Sequence, residues 1–174
     1  RAEDGVALIL TEGIIVDPSG DGYCNVPHLY TDQHAASWVR TVKQVQAAGS
    51  KIFAQLWHCG RISHPDFTRG LVPLSSTDKQ ASGINRQNDK PFGVPRAIGA
   101  EEMPDICQMY VNSADKAFQA GFDGVEIHMG HGYLIDKFFD ARINERIDIY
   151  GGSVENRSPR GRTDRYLNTP VWPR

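Results

Sequence analysis

The chain has 174 residues, 40% of them hydrophobic, with 19 basic and 21 acidic side chains and a net charge of −2. That length points to one domain with enough apolar residues for a core. The near-neutral balance gives no electrostatic footing for nucleic acid or an anionic membrane as a partner. No stretch is long and apolar enough to span a bilayer. Cys24, Cys59 and Cys107 are odd in number and far apart, which argues against a disulfide framework and for a reducing, cytoplasmic setting. The chain opens Arg1-Ala2-Glu3-Asp4-Gly5, with neither an initiator Met nor a signal-peptide pattern, and reads as cut from something longer.

In chain order, Val6 to Leu10 is a continuous apolar run ending in Thr11-Glu12-Gly13. Such a run predicts a strand covered on both faces, as in a parallel sheet. A loop of turn formers follows, Asp17-Pro18-Ser19-Gly20-Asp21-Gly22. Asp32 is placed to cap a helix reaching about Ala48, with Trp38, Val42 and Val45 as its apolar stripe and Gly49 as its stop. Ile52 to Trp57 reads as a second strand running into His58-Cys59-Gly60-Arg61. Gln55 is the odd residue in it, since a buried amide must find hydrogen-bond partners, in a ligand or in a backbone carbonyl. Trp57 is either core or the wall of a planar pocket. Residues 62–98 carry Pro65, Pro73, Gly83, Pro91, Gly93 and Pro95 among polar residues, the pattern of a long functional loop. Glu101, Glu102 and Pro104 mark the start of a helix whose stripe is Ile106, Tyr110, Ala114 and Ala117, ending near Ala120-Gly121.

The next stretch, Gly121-Phe122-Asp123-Gly124-Val125-Glu126-Ile127-His128-Met129-Gly130-His131-Gly132-Tyr133-Leu134, is where chemistry concentrates. Val125 and Ile127 alternate with Glu126 and His128, which is strand period. The strand then breaks into glycines that frame His131, and Tyr133 follows. Two imidazoles can hold a carbonyl oxygen and stabilise the negative charge that develops there. A nearby phenol can deliver a proton to an adjacent carbon. Enzymes built on βα units place such groups at the C-terminal ends of their strands. The competing readings are packed structural histidines and a zinc site, which would need a third ligand of matching character. A short helix is expected to end at Phe139. The rhythm of strand, helix, strand, loop, helix, strand implies an α/β fold with parallel strands and right-handed crossovers.

Several spaced segments together resemble the Old Yellow Enzyme family of FMN-dependent ene-reductases. They are Gln55-Leu56-Trp57-His58 with Gly60-Arg61, the run Gly121 to His128, the pair His128 and His131 with Tyr133, and Tyr150-Gly151-Gly152-Ser153-Val154-Glu155-Asn156-Arg157. The resemblance covers Arg1 to about Arg157. It implies a partial (β/α)8 TIM barrel, with strands 2 to 4 in residues 1–157, FMN at the strand ends and NAD(P)H as the reductant. The implied reaction passes hydride to the C=C bond of an α,β-unsaturated carbonyl compound, a small-molecule enone or enal. By position, His128 and His131 resemble the pair that binds the substrate carbonyl, and many members carry Asn in the second place. Tyr133 resembles the proton donor, Gln55 a residue bonded to the flavin ring, Gly13 a close backbone contact to it, and Trp57 a pocket wall. No metal, nucleic acid or membrane is implied, and a homo-oligomer is compatible with the pattern.

From Ser158 the pattern departs from the family, and residues 158–174 read as a divergent, disordered tail. A full barrel takes eight strands and roughly 250 residues. The phosphate-binding backbone and a basic residue near the flavin would lie beyond the part that matches. Losing two phosphate contacts at about 1.5–3 kcal/mol each weakens FMN binding on the order of 10²-fold or more, so this chain alone is expected to hold FMN weakly. The alternatives are an inactive truncated member that only associates with other chains, and an unrelated hydrolase or lyase using His128 and His131.

Overall fold

The computed structural model describes residues 1–158. The expected disorder of the tail therefore falls almost wholly outside the described residues. Three strands, β1 (Leu8–Ile15), β2 (Lys51–Trp57) and β3 (Gly124–Ile127), alternate with two long helices, α1 (Asp32–Ala47) and α2 (Met103–Ala120). The strands form one parallel sheet in the order β1-β2-β3. Short helices α3 (Asp136–Phe139) and α4 (Val154–Arg157) follow.

Local chemistry sets the helix ends. The Thr31 hydroxyl accepts the His34 N–H at 3.2 Å, so Thr31 rather than Asp32 is the N-cap of α1, one place earlier than the sequence suggests, and Asp32 is its first helical residue. Thr31 keeps an extended backbone, which is what lets its hydroxyl reach back, whereas Asp32 has already turned helical. Gly49, at φ +89°, follows the end of the helix. At the start of α2, the Glu102 carboxylate accepts the Gly99 N–H at 2.7 Å and both Arg96 guanidinium nitrogens at 2.7 Å. Those bonds, the Arg96 ones first, hold the Glu102 carboxyl down at about 2. Gly121, left-handed at φ +87°, closes α2 as the sequence suggests.

Both helices cover the same face of the sheet. Ile52, Ala54 and Leu56 alternate along β2 and are buried against it, together with Val42 of α1 and Ile106, Ala114 and Ala117 of α2. Trp38 packs on Phe122 with ring centroids 5.5 Å apart. Burying each such Leu or Ile fully contributes about 1.5–3 kcal/mol, so this layer is the main source of stability.

The first strand corrects the sequence reading. It runs from Leu8 to Ile15 rather than ending near Leu10, and it is not covered on both faces: Leu8 and Leu10 are each 46% exposed. Among the described residues its ladder partner is β2, with one further bridge from Ile15 to His28. The face away from the helices is open at Leu8 and Leu10 but closed at Ile15, which is buried with Trp57 and Cys59. A bulge interrupts the pairing. Leu10 sits opposite Phe53, but Gly13, three positions on, sits opposite Gln55, only two positions on. The Thr11 hydroxyl accepts the Gln55 N–H at 3.0 Å, filling the ladder bond that the bulge removes. The bulge thereby sets Gly13 level with Gln55.

Residues 62–98 are not a bare loop. Leu74–Ser75 pairs in parallel with Arg96–Ala97, and Ile84–Asn85 pairs antiparallel with Lys90–Pro91. The Asn85 amide donates to the Gly22 carbonyl at 3.0 Å, pinning this segment over the loop that follows β1. From the other side, the nearly buried Arg146 guanidinium donates to the Ser76 carbonyl at 3.1 Å and to the Ile98 carbonyl, and pairs with Asp148. The buried Asn144 amide donates to the carbonyls of Phe138 at 2.7 Å and Tyr150 at 2.8 Å. The run from Arg142 to Arg157 thus fastens the loop segment to the region after β3.

Candidate active site

Strand register sorts the residues of β2 and β3 by face. Parallel partners share a face, so Phe53 with Gly124, and Gln55 with Gly13 and Glu126, stand opposite the helices. Trp57 continues that row. Two glycines make room for its aromatic rings. A Cβ at Gly13 would lie 2.4 Å from the Trp57 ring, and one at Gly124 would lie 2.6 Å from the Phe53 ring. Gly13 therefore has a packing reason to be glycine besides any cofactor contact. The Gln55 amide nitrogen donates to Glu126 Oε1 at 3.2 Å. The indole Nε1 of Trp57 is buried and has no hydrogen-bond partner among the described residues.

His128 extends β3 by one ladder bond, its N–H donating to the Leu56 carbonyl at 2.9 Å. The chain then reverses sharply. His131 at φ +59° and Gly132 at φ +86° are consecutive left-handed residues. The conformation costs a non-glycine residue about 1–2 kcal/mol, and here it is held by the surroundings. The Gly132 N–H donates to Asp136 Oδ2 at 3.0 Å. The Leu134 N–H donates to the His58 carbonyl at 3.2 Å, and the backbone of Leu134 passes so close to Gly60 that a Cβ there would lie 2.8 Å from it.

The reversal brings the three expected groups together. The His128 ring lies 5.3 Å from the His131 ring and 5.2 Å from the Tyr133 ring, both edge-to-face. Trp57 flanks them, its ring 6.2 Å from His128 and 4.9 Å from Tyr133. Burial, and then the neighbouring His131, hold His128 below the usual imidazole range, so at neutral pH its ring is uncharged. Its Nδ1 lies 3.4 Å from the Gly130 nitrogen, a contact that favours the tautomer with the proton on Nε2. Burial raises Tyr133 above the usual phenol range, so its hydroxyl keeps its proton. The cluster is an uncharged donor beside a protonated phenol, suited to an oxygen that gains negative charge next to a carbon that needs a proton. Among the described residues no three His, Cys, Asp or Glu side chains are grouped to hold a metal ion.

One neighbour escaped the sequence reading. The Tyr23 hydroxyl lies 3.0 Å from the Tyr133 hydroxyl, and its ring stacks on Trp57 with centroids 5.4 Å apart. Tyr23 sits in an irregular turn with no apolar period, and its only signal was an aromatic residue in the loop after a strand end.

The half-buried Gln55 amide, on the strand face opposite the helices, is a donor and acceptor of the kind that the polar edge of a planar ring takes. Residues 1–159 match the family described as NADH:flavin oxidoreductase / NADH oxidase. The chain belongs to that family. Similar proteins include 12-oxophytodienoate reductase 7 of Oryza sativa subsp. japonica, 44% identical over 156 residues, which cover 86% of this chain and 40% of the relative. The flavin oxidoreductase hxnT of Emericella nidulans is 39% identical over 162 residues, covering 91% of this chain and 41% of the relative. Among solved structures, the old yellow enzyme homologue from Zymomonas mobilis superimposes with a TM-score of 0.85 at 39% identity, covering 90% of this chain and 44% of that one. Morphinone reductase gives 0.81 at 35% identity, covering 88% and 43%. The chain therefore spans 40–44% of the length of these four flavin-family proteins.

Proposed function

We propose that this member of the NADH:flavin oxidoreductase family carries the substrate-activating part of an FMN-dependent ene-reductase, built on part of an eight-stranded barrel. The observation that supports this reading best is the meeting of the His128 Nε2 donor, His131 and the protonated Tyr133 at one strand end, beside the amide of Gln55 and the Trp57 ring. FMN, reduced by NAD(P)H, supplies the hydride for the β-carbon of an α,β-unsaturated carbonyl compound. Gln55 would hold the polar edge of the flavin ring, and Gly13 would offer it backbone atoms. His128 and His131 bind the substrate carbonyl oxygen and stabilise its charge as the enolate forms. Tyr133 gives its hydroxyl proton to the α-carbon. Trp57 bounds the pocket and keeps water from the reacting carbon.

A neutral His128 suits this task. It donates one hydrogen bond without first losing a proton, and burial, with His131 beside it, favours that state by lowering its pKa. Removing one such donor costs roughly 10²–10³ in rate. The test is consumption of cyclohex-2-enone by the chain with FMN and NADPH, followed by loss of the conjugated absorbance. Wild-type turnover that falls steeply in Tyr133→Phe and His128→Ala supports the assignment. Equal rates in all three proteins would remove it.

A second reading draws on the exposed Leu8 and Leu10 of β1. An apolar edge strand favours pairing with another chain, and an inactive member that only associates would show concentration-dependent oligomers and no enone turnover.

A further inference from the structure

We infer that Tyr23 is a positioning residue for Tyr133, donating its own hydroxyl proton to the Tyr133 oxygen so that the Tyr133 proton is aimed outward and the phenolate left after transfer is stabilised. This deepens the ene-reductase reading and rests on it for the identity of the proton acceptor.

The geometry carries the assignment. The two hydroxyl oxygens are 3.0 Å apart and partly buried. The Tyr23 ring cannot swing away freely, because it stacks on Trp57 at an interplanar angle of 26°, while Trp57 meets Tyr133 edge-on at 4.9 Å. One indole therefore fixes both phenols. The turn that carries Tyr23 is itself anchored, with the Asp21 carboxylate accepting the Gly22 N–H at 2.8 Å and the Tyr23 N–H at 3.4 Å. Each phenol has one proton and an oxygen that accepts. If Tyr133 donated to Tyr23, its proton would be occupied and could not reach a substrate carbon. With Tyr23 as donor, the Tyr133 proton stays free.

The proton balance is simple. The Tyr133 O–H bond breaks, a C–H bond forms at the α-carbon of the enolate, and the negative charge moves to the Tyr133 oxygen. That oxygen then accepts the Tyr23 proton in a hydrogen bond, without transfer, until water restores the phenol. Burial works against this phenolate, and the Tyr23 bond works for it. Tyr23 itself is pushed well up by burial and by Tyr133, so it remains the protonated partner throughout.

The test uses the full chain labelled with ¹³Cζ-tyrosine, titrated by NMR, with Tyr133→Phe identifying the Tyr133 resonance. In Tyr23→Phe, which keeps the ring and its stacking, Tyr133 is expected to titrate at higher pH. A bond to a charged oxygen corresponds to about ten- to hundredfold in the rate of a step that forms that charge. Enone turnover limited by protonation should therefore fall by about that factor in kcat, with KM little changed. An unchanged Tyr133 titration would overturn the inference, whatever the activity. A chain that reduces no enone at all would defeat the ene-reductase reading, while the titration would still decide the Tyr23–Tyr133 bond.

Discussion

The two faces of the three-stranded sheet are built for different ends. Toward α1 and α2, every second residue of β2 is aliphatic and buried, and no polar group asks for a partner. Away from the helices, the same strand presents Phe53, Gln55 and Trp57, next to Glu126 and His128. One face secures the fold. The other carries an amide held by Glu126 and an uncharged imidazole, with glycines beneath the Phe53 and Trp57 rings. Adjacent residues of one strand therefore answer to different demands, and substitutions a single position apart should separate stability from chemistry.

The largest contrast is expected at Leu56. Leu56→Ala opens a cavity in the closed face and should lower unfolding free energy by about 2–5 kcal/mol in a urea titration. A loss under 1 kcal/mol would mean the helix-covered face is not the stabilising layer.

His58 stands where the two faces meet. It is fully buried, and burial lowers its pKa to about 4. Its Nδ1 accepts the Gly60 N–H at 3.0 Å, which leaves Nε2–H for the Ser19 hydroxyl at 3.2 Å. Its folded pKa lies below the usual value, so the unfolded chain binds the proton first. Stability from the neutral ring is then complete above about pH 6.5 and is lost as pH falls toward about 4, at most about 3 kcal/mol in all. His58→Gln should flatten the stability profile across that window. A wild-type profile that is already flat there would show that the ring is not held neutral by burial.

Gly13→Ala comes next. Its Cβ would meet the Trp57 ring at 2.4 Å, and overpacking of this kind costs about 1–3 kcal/mol. Near-UV circular dichroism should report the displaced indole. A silent spectrum with unchanged stability would argue that the ring is not seated on Gly13. Gln55→Ala is expected to have the smallest effect on stability, about 1 kcal/mol or less for one half-buried hydrogen bond, measured by the same urea titration. A loss as large as that at Leu56 would erase the distinction between the faces.

Much of the closed face was legible in the sequence because hydrophobic period reports burial directly. The stripes of α1 and α2, the Gly49 and Gly121 stops, and β2 fall where the residues indicate. The open face was legible only through its chemistry. His128, His131 and Tyr133 stand out as polar groups around glycines, and the structure does bring them together. The length of β1 was misjudged because the bulge at Thr11–Glu12 breaks the alternation on which a strand reading depends, and because an edge strand shows no sign in sequence of which face lacks a partner. The small ladders within residues 62–98 rest on backbone pairing between two-residue segments too short to carry a pattern. Tyr23 was missed for a related reason: its place is set by stacking on a residue far away in sequence.

The most direct test of the division between the faces is a titration of the full chain with FMN, read by the visible flavin bands, for wild type and Gln55→Ala at matched folding. Saturable perturbation of the flavin spectrum, weak but clearly diminished in Gln55→Ala, is the expected result. Spectra that stay those of free FMN, or binding that ignores Gln55, would contradict the assignment of the open face to the cofactor.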